Sequence, residues 1–158
     1  MKPLRLDPRL AVERDSIMRE STRSPATPAP ASRPREVRRA LVVEADPGTR
    51  EVFQGALNRC GLVADMVDNG VAAVARARRK QPDVIIMDLQ LRDSAGLEVI
   101  QWLRSNPALR STPVIVLTTN AHDVSRSKSW TVDAVLLKPV SSEAMESAIR
   151  SAIDPESV

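Results

Sequence analysis

The sequence predicts an α/β domain built on a parallel sheet, and three observations carry that prediction. Short apolar segments alternate five times with segments of helical spacing between residues 39 and 153. Each apolar segment is bounded by Gly, Pro or Asp, which is typical of strand ends. Four of the five are almost continuously apolar, as expected for strands that helices cover on both faces of a sheet.

The predicted strands are short runs rich in aliphatic and β-branched side chains. In chain order they cover residues 40–44, 62–67, 83–88, 113–119 and 134–139.

The predicted helices lie between and after these strands. Residues 48–60 are followed by Gly61, a typical helix stop, and place five residues on one apolar face: Val52, Phe53, Ala56, Leu57 and Cys60. Residues 70–80 and 95–105 form the next two helices. A last helix can be capped by Ser141 or Ser142. The Ser-rich stretch between Thr118 and Lys138 predicts a short or frayed helix.

The N-terminal residues have a different composition from the rest. Residues 1–39 hold ten Lys or Arg, five Asp or Glu and six of the twelve prolines, whereas the remaining residues hold thirteen basic and fifteen acidic residues. Such a segment buries too little apolar surface to offset its ordering entropy. We therefore expect residues 1–37 to be a disordered, basic, Pro-rich tail and residues 38–154 to be the folded domain. Because the basic residues are scattered, contact with nucleic acid or a membrane is not favoured.

Several classes of protein are excluded by what the sequence lacks. The single cysteine, Cys60, excludes an internal disulfide and suits a reducing compartment. No apolar run approaches the roughly 20 residues that span a bilayer, and no signal peptide is recognisable, so we expect a cytoplasmic protein. Neither a P-loop nor a G-x-G-x-x-G motif is present.

Four predicted strands end in polar residues: Glu44, Asp88, Thr118 and Lys138. Taken singly, each has an ordinary explanation as a turn residue, a strand residue or a surface lysine. In open α/β sheets, however, ligands bind at the carboxyl ends of the strands. We therefore expect these four side chains to converge on one functional site.

Five segments carrying these residues resemble the receiver domain of two-component response regulators. They are "LVVEADPGTR", "PDVIIMDLQL", "AGLEVIQWLR", "TPVIVLTT" and "VLLKP", and the resemblance covers residues 39–153. It implies a flavodoxin-like, doubly wound five-stranded parallel sheet in the order 2-1-3-4-5, with five flanking helices. It also implies a cis peptide bond before Pro139.

The resemblance implies a phosphorelay function rather than an enzyme. Asp88 would accept a phosphoryl group from a histidine kinase or phosphotransfer protein, and Thr118 and Lys138 would contact that group. Mg²⁺ would be held by Glu44, Asp88 and the main-chain carbonyl of Gln90. Only five residues follow residue 153, so we expect the signal to pass to a downstream protein by contact.

The sequence departs from the family where Ala45 replaces the second residue of the acidic pair. A methyl group cannot coordinate a cation, so Mg²⁺ binding is expected to be weak, and Asp46 is a possible substitute ligand. Val135 replaces the usual aromatic switch residue, and Arg92 stands where the family often has Pro. A phosphorylation-independent interaction module is therefore the alternative function, and a nucleic-acid anchor in the basic tail is a weaker third.

Overall fold

The computed structural model describes residues 37–91, 93 and 96–157. This part of the chain contains one parallel sheet of five strands. The sheet order is β2-β1-β3-β4-β5, and every neighbouring pair of strands is parallel. The predicted fold class and strand order are thus confirmed. Residues 1–36 of the predicted tail, and Arg92, lie outside the described residues. The strands are β1 (Arg39–Val43), β2 (Val63–Val67), β3 (Val84–Asp88), β4 (Val114–Thr118) and β5 (Ala134–Leu137).

Five α-helices connect or follow these strands in the described part of the chain. Short 3₁₀ turns cover Ser127–Ser129 and Pro155–Ser157. The helices are α1 (Pro47–Arg59), α2 (Gly70–Arg79), α3 (Gly96–Ser105), α4 (Ala121–Arg126) and α5 (Ser142–Ile153).

The sheet is the middle of three layers, because successive residues of each strand point to opposite faces. One face packs on α1 and α5 through buried residues such as Phe53 and Met145. The other packs on α2 and α3 through residues such as Ala77 and Leu103. Burial on both faces explains why the strands read as continuous apolar runs in the sequence.

Polar residues fix where the helices begin. Asp46, Asn69, Asn120 and Ser141 are the N-caps of α1, α2, α4 and α5, and each side chain accepts a hydrogen bond from a main-chain N–H of the first turn. Gly61 follows α1 with a φ of 74°, a conformation that favours glycine. The prediction of Gly61 as a stop is confirmed.

The prediction that Val52 lies on the buried face of α1 is wrong. Its side chain is 40% exposed, whereas Phe53, Ala56 and Leu57 are fully buried. Val52 instead lines an open depression together with residues such as Thr49 and Lys138. Cys60 is partly buried against the core, and burial raises the pKa of its thiol.

The short helix predicted between Thr118 and Lys138 is confirmed as α4. It has six residues, and none of them is buried. No helix in the described part of the chain is both long enough and apolar enough to cross a membrane.

Candidate functional site

The carboxyl ends of β1, β3 and β5 bring three of the predicted site residues together. Glu44 and Asp88 follow the strand positions that face α1 and α5, and Lys138 follows Leu136, which packs on the same layer. Strands β1 and β3 are neighbours, whereas β4 separates β3 from β5. The long side chain of Lys138 bridges that gap, so the predicted convergence of these three residues is observed.

The Lys138 ammonium group bridges the two carboxylates. Its Nζ donates to Oε2 of Glu44 at 2.6 Å and to Oδ2 of Asp88 at 2.8 Å. Burial is the largest single influence on Lys138 and lowers its pKa. The hydrogen bonds and charges of Asp88 and Glu44 together outweigh it, so the net pKa is raised. Lys138 is therefore a cation under physiological conditions and serves as the counter-charge of both acids.

Main-chain groups orient the same two carboxylates. The N–H of Gln90 donates to Oδ1 of Asp88 at 2.9 Å, and the N–H of Asp46 donates to Oε1 of Glu44 at 3.0 Å. Glu44 is only 2% exposed, whereas the Asp88 side chain is 13% exposed. Asp88 is thus the carboxylate of the pair that a reagent in solvent can reach.

The residues present offer a divalent cation few charged ligands. Among the described residues, no three Asp, Glu, His or Cys side chains form a group that could hold a metal ion. The position next to Glu44 carries the Ala45 methyl group. The predicted Mg²⁺ ligands thus reduce to two carboxylates that already share one ammonium group, with the Gln90 carbonyl on the adjoining loop.

Asp46, the possible substitute ligand, has a structural role at the start of α1. Its Oδ2 accepts from the Thr49 hydroxyl at 2.7 Å and from the Thr49 N–H at 2.8 Å. The hydroxyl bond is the main reason that the pKa of Asp46 is lowered. Both bonds end on Oδ2, and they fix the orientation of the Asp46 carboxylate at the start of α1.

Thr118 lies at the end of β4 but on the opposite face from Asp88. It follows Val114 and Val116, which pack on the layer of α2 and α3, and it is fully buried. Its hydroxyl donates to Oδ2 of Asp123 at 2.6 Å. Thr118 is therefore close to the site in the fold, with its hydroxyl bonded to α4.

The loop after Asp88 is tightly packed. The Gly96 N–H donates to the Leu89 carbonyl at 3.0 Å. A Cβ on Gly96 would lie 2.8 Å from the main chain of both Asp88 and Leu89. Further along, the Asp93 carboxylate accepts from Gly70 N–H at 2.8 Å, which ties this loop to the start of α2.

Sequence reasoning missed two residues around the site, Asp93 and Asp123. An aspartate in a loop or in the first turn of a helix is an ordinary capping signal. The sequence shows no sign that Asp93 caps a helix 23 positions earlier or that Asp123 accepts from a strand hydroxyl. Only the arrangement of the elements reveals these contacts.

The chain is similar in sequence to a known protein family and to its members. Residues 40–150 match the family model described as response regulator receiver domain. The chain is 33% identical over 113 residues to the polar-differentiation response regulator DivK of Brucella anthropi, covering 70% of this chain and 92% of DivK.

Two solved structures show a similar fold. The chemotaxis response regulator CheY4 of Vibrio cholerae superposes with a TM-score of 0.68 at 23% identity, covering 73% of this chain and 98% of CheY4. The receiver domain of a sensor histidine kinase from Pseudomonas aeruginosa has a TM-score of 0.67 at 27% identity, over 73% of this chain and 97% of that one. That second structure holds a magnesium ion coordinated in its active site cleft.

Proposed function

Because the chain belongs to the response regulator receiver domain family of two-component signalling, we propose that it accepts a phosphoryl group at Asp88 from a histidine kinase or phosphotransfer protein. Receiver domains of this family are generally signalling modules rather than enzymes. In this proposal the domain of residues 38–154 acts in the cytoplasm and passes its signal to a downstream protein by contact.

One observation carries the proposal. The Asp88 carboxylate is held between two donors, Lys138 Nζ on Oδ2 and Gln90 N–H on Oδ1, at an edge where it keeps 13% exposure. A fixed and accessible carboxylate beside a cation is what a phosphoryl acceptor needs.

The transfer follows from this arrangement. An oxygen of Asp88 forms a bond to phosphorus while the bond between phosphorus and the donor nitrogen breaks, and the electron pair of that bond leaves with the donor imidazole. The ammonium group of Lys138 offsets negative charge on the resulting acyl phosphate and can donate to its oxygens. Glu44 stays behind Lys138 and sets the position of the ammonium group.

Weak Mg²⁺ binding is part of the proposal. A bound divalent cation would supply charge neutralisation, but the chain offers it Ala45 where a carboxylate is needed. The poor fit supports slow acceptance of a phosphoryl group by this chain. The Pseudomonas receiver domain, in contrast, holds a magnesium ion in its active site cleft.

A second candidate is a phosphorylation-independent interaction module. It is favoured by the same Lys138 bridge, because the ammonium group already satisfies both carboxylates without a metal or a phosphoryl group. The fold would then present its surface to a protein partner in one fixed state.

Incubation with acetyl phosphate and Mg²⁺, followed by intact mass measurement, tests the proposal. We expect the full chain to gain the mass of one phosphoryl group, and Asp88→Asn to gain none. Asp65→Asn on the edge strand β2 is the matched control and should react like the wild type. If the wild type gains no mass even at long incubation times, the second candidate is the better description.

A further inference from the structure

The hydroxyl group of Thr118 has a single proton, and that proton is already donated. Oγ1 lies 2.6 Å from Oδ2 of Asp123, and Thr118 has no solvent-exposed surface. A hydroxyl donates only one hydrogen bond at a time. For Thr118 to donate to a phosphoryl oxygen on Asp88, it must therefore release Asp123.

The same hydroxyl also supports the start of α4. The Asn120 N–H donates to Thr118 Oγ1 at 3.1 Å, and the Asn120 side chain in turn caps the helix by accepting from the His122 N–H at 3.0 Å. The Asp123 N–H donates to the Asn120 carbonyl at 3.0 Å. Thr118, Asn120 and Asp123 thus form one hydrogen-bonded unit between β4 and the first turn of α4.

Within the described part of the chain, α4 buries little apolar surface. The helix has six residues with no buried member, and Val124 is 40% exposed. Isolated helices of this length are not stable in water. The hydrogen-bonded unit around Thr118 is therefore a large part of what keeps this helix folded.

We propose that Asp123 is a positioning residue that holds the Thr118 hydroxyl, so that phosphoryl occupancy of Asp88 and an ordered first turn of α4 compete for one proton. This inference rests on the proposed function for its phosphoryl step. This competition couples the state of Asp88 to the order of α4, although Val135 cannot act as an aromatic switch. The coupling needs no side-chain rotation other than that of Thr118.

The link between Thr118 and α4 is tested without any phosphoryl donor. Amide hydrogen exchange of residues 120–124 is measured by NMR in Thr118→Val, in Asp123→Ala and in the double variant. We expect each single variant to speed exchange by about tenfold. The double variant should add little to Thr118→Val, which already removes both the bond to Asp123 and the bond from the Asn120 N–H. His122→Ala, an exposed change on the same turn, should leave the exchange rates as they are. Unchanged exchange in Thr118→Val and Asp123→Ala would overturn the inference.

The competition is tested with acetyl phosphate in an Ala45→Asp background, which supplies the missing carboxylate. Asp123→Ala frees the hydroxyl, so we expect the adduct to accumulate at about tenfold lower acetyl phosphate concentration. Asp123→Asn keeps an acceptor oxygen and should stay near the parent. An Asp123→Ala variant that behaves like its phosphorylatable parent contradicts the inference. If no variant forms an adduct, the proposed function fails, and the exchange experiment alone decides whether Asp123 holds the first turn of α4 through Thr118.

Discussion

The ammonium nitrogen of Lys138 lies 2.6 Å from Oε2 of Glu44, although the two residues are 94 positions apart. Glu44 is 2% exposed, and its other carboxylate oxygen is bonded to the main chain of Asp46. A carboxylate that is removed from water needs a counter-charge. Lys138 supplies it, so the same side chain that would serve phosphoryl chemistry is also needed by the fold.

Replacing Lys138 with Met should therefore lower stability as well as abolish reaction with acetyl phosphate. The variant leaves two neighbouring carboxylates, Glu44 and Asp88, without their shared cation. We expect the free energy of unfolding to fall by about 2 kcal/mol, measured by urea denaturation at neutral pH.

The double variant Lys138→Met with Glu44→Gln is the control for this reasoning. Because the amide is neutral, it should recover a large part of the lost stability while remaining unreactive. A double variant no more stable than Lys138→Met would show that packing of the lysine stem, rather than its charge, dominates.

The raised pKa of Lys138 predicts a loss of stability at alkaline pH. Burial lowers this pKa, but the hydrogen bonds and charges of Asp88 and Glu44 outweigh it. A pKa that is higher in the folded state contributes stability that is complete below the unfolded value of about 10.4. This contribution is lost as pH rises through the folded value. Above about pH 10.4, the urea midpoints of the wild type should thus fall more steeply with pH than those of Lys138→Arg, whose guanidinium stays charged. Equal falls in the two proteins would refute this account.

Ala45→Asp should strengthen Mg²⁺ binding. The new carboxylate stands next to Glu44 and completes the acidic pair, and we expect the affinity to rise by about tenfold or more. Tryptophan fluorescence or isothermal titration calorimetry with MgCl₂ measures it. Ala45→Asn introduces a side chain of nearly the same size as Asp but without charge, so this variant should bind Mg²⁺ more weakly than Ala45→Asp. If both variants bind as the wild type does, Ala45 is not the cause of weak binding.

The fold was predictable because its signals are local. Continuous apolar strands, helical spacing and terminators such as Gly61 each depend on a few neighbouring residues. Val52 was predicted to be buried because helical spacing shows which residues share a face of the helix. The spacing does not show whether another element packs over every residue of that face. The convergence of Asp88 and Lys138 followed from topology, since parallel strands place their carboxyl ends at one edge.

The hydrogen bonds around the site were less predictable. Thr118 was expected to face a phosphoryl group, but its resting partner, Asp123, depends on where the first turn of α4 lies against β4. The same holds for the contact of Asp93 with the start of α2. The N-cap role of Asp46 was readable from the Asp-Pro start of α1, but its sequence position also suited a metal ligand, and the two roles use the same carboxylate.

Gly96→Ala should disturb the loop that orients Asp88. A Cβ at position 96 would lie 2.8 Å from the Asp88 carbonyl oxygen and from Leu89 Cα, and main-chain atoms cannot rotate away as a side chain does. We expect a loss of about 2 kcal/mol in the free energy of unfolding and slower acceptance of phosphoryl groups, because Gln90, which donates to Asp88, lies on the displaced loop. Gly55→Ala in α1 is the matched control. Its Cβ would meet only the flexible end of Arg59, at 3.3 Å, and alanine favours the helix by up to about 1 kcal/mol, so that variant should be as stable as the wild type or more so. Urea denaturation of both variants decides the matter, and a Gly96→Ala protein as stable as Gly55→Ala would mean that the loop moves aside at little cost.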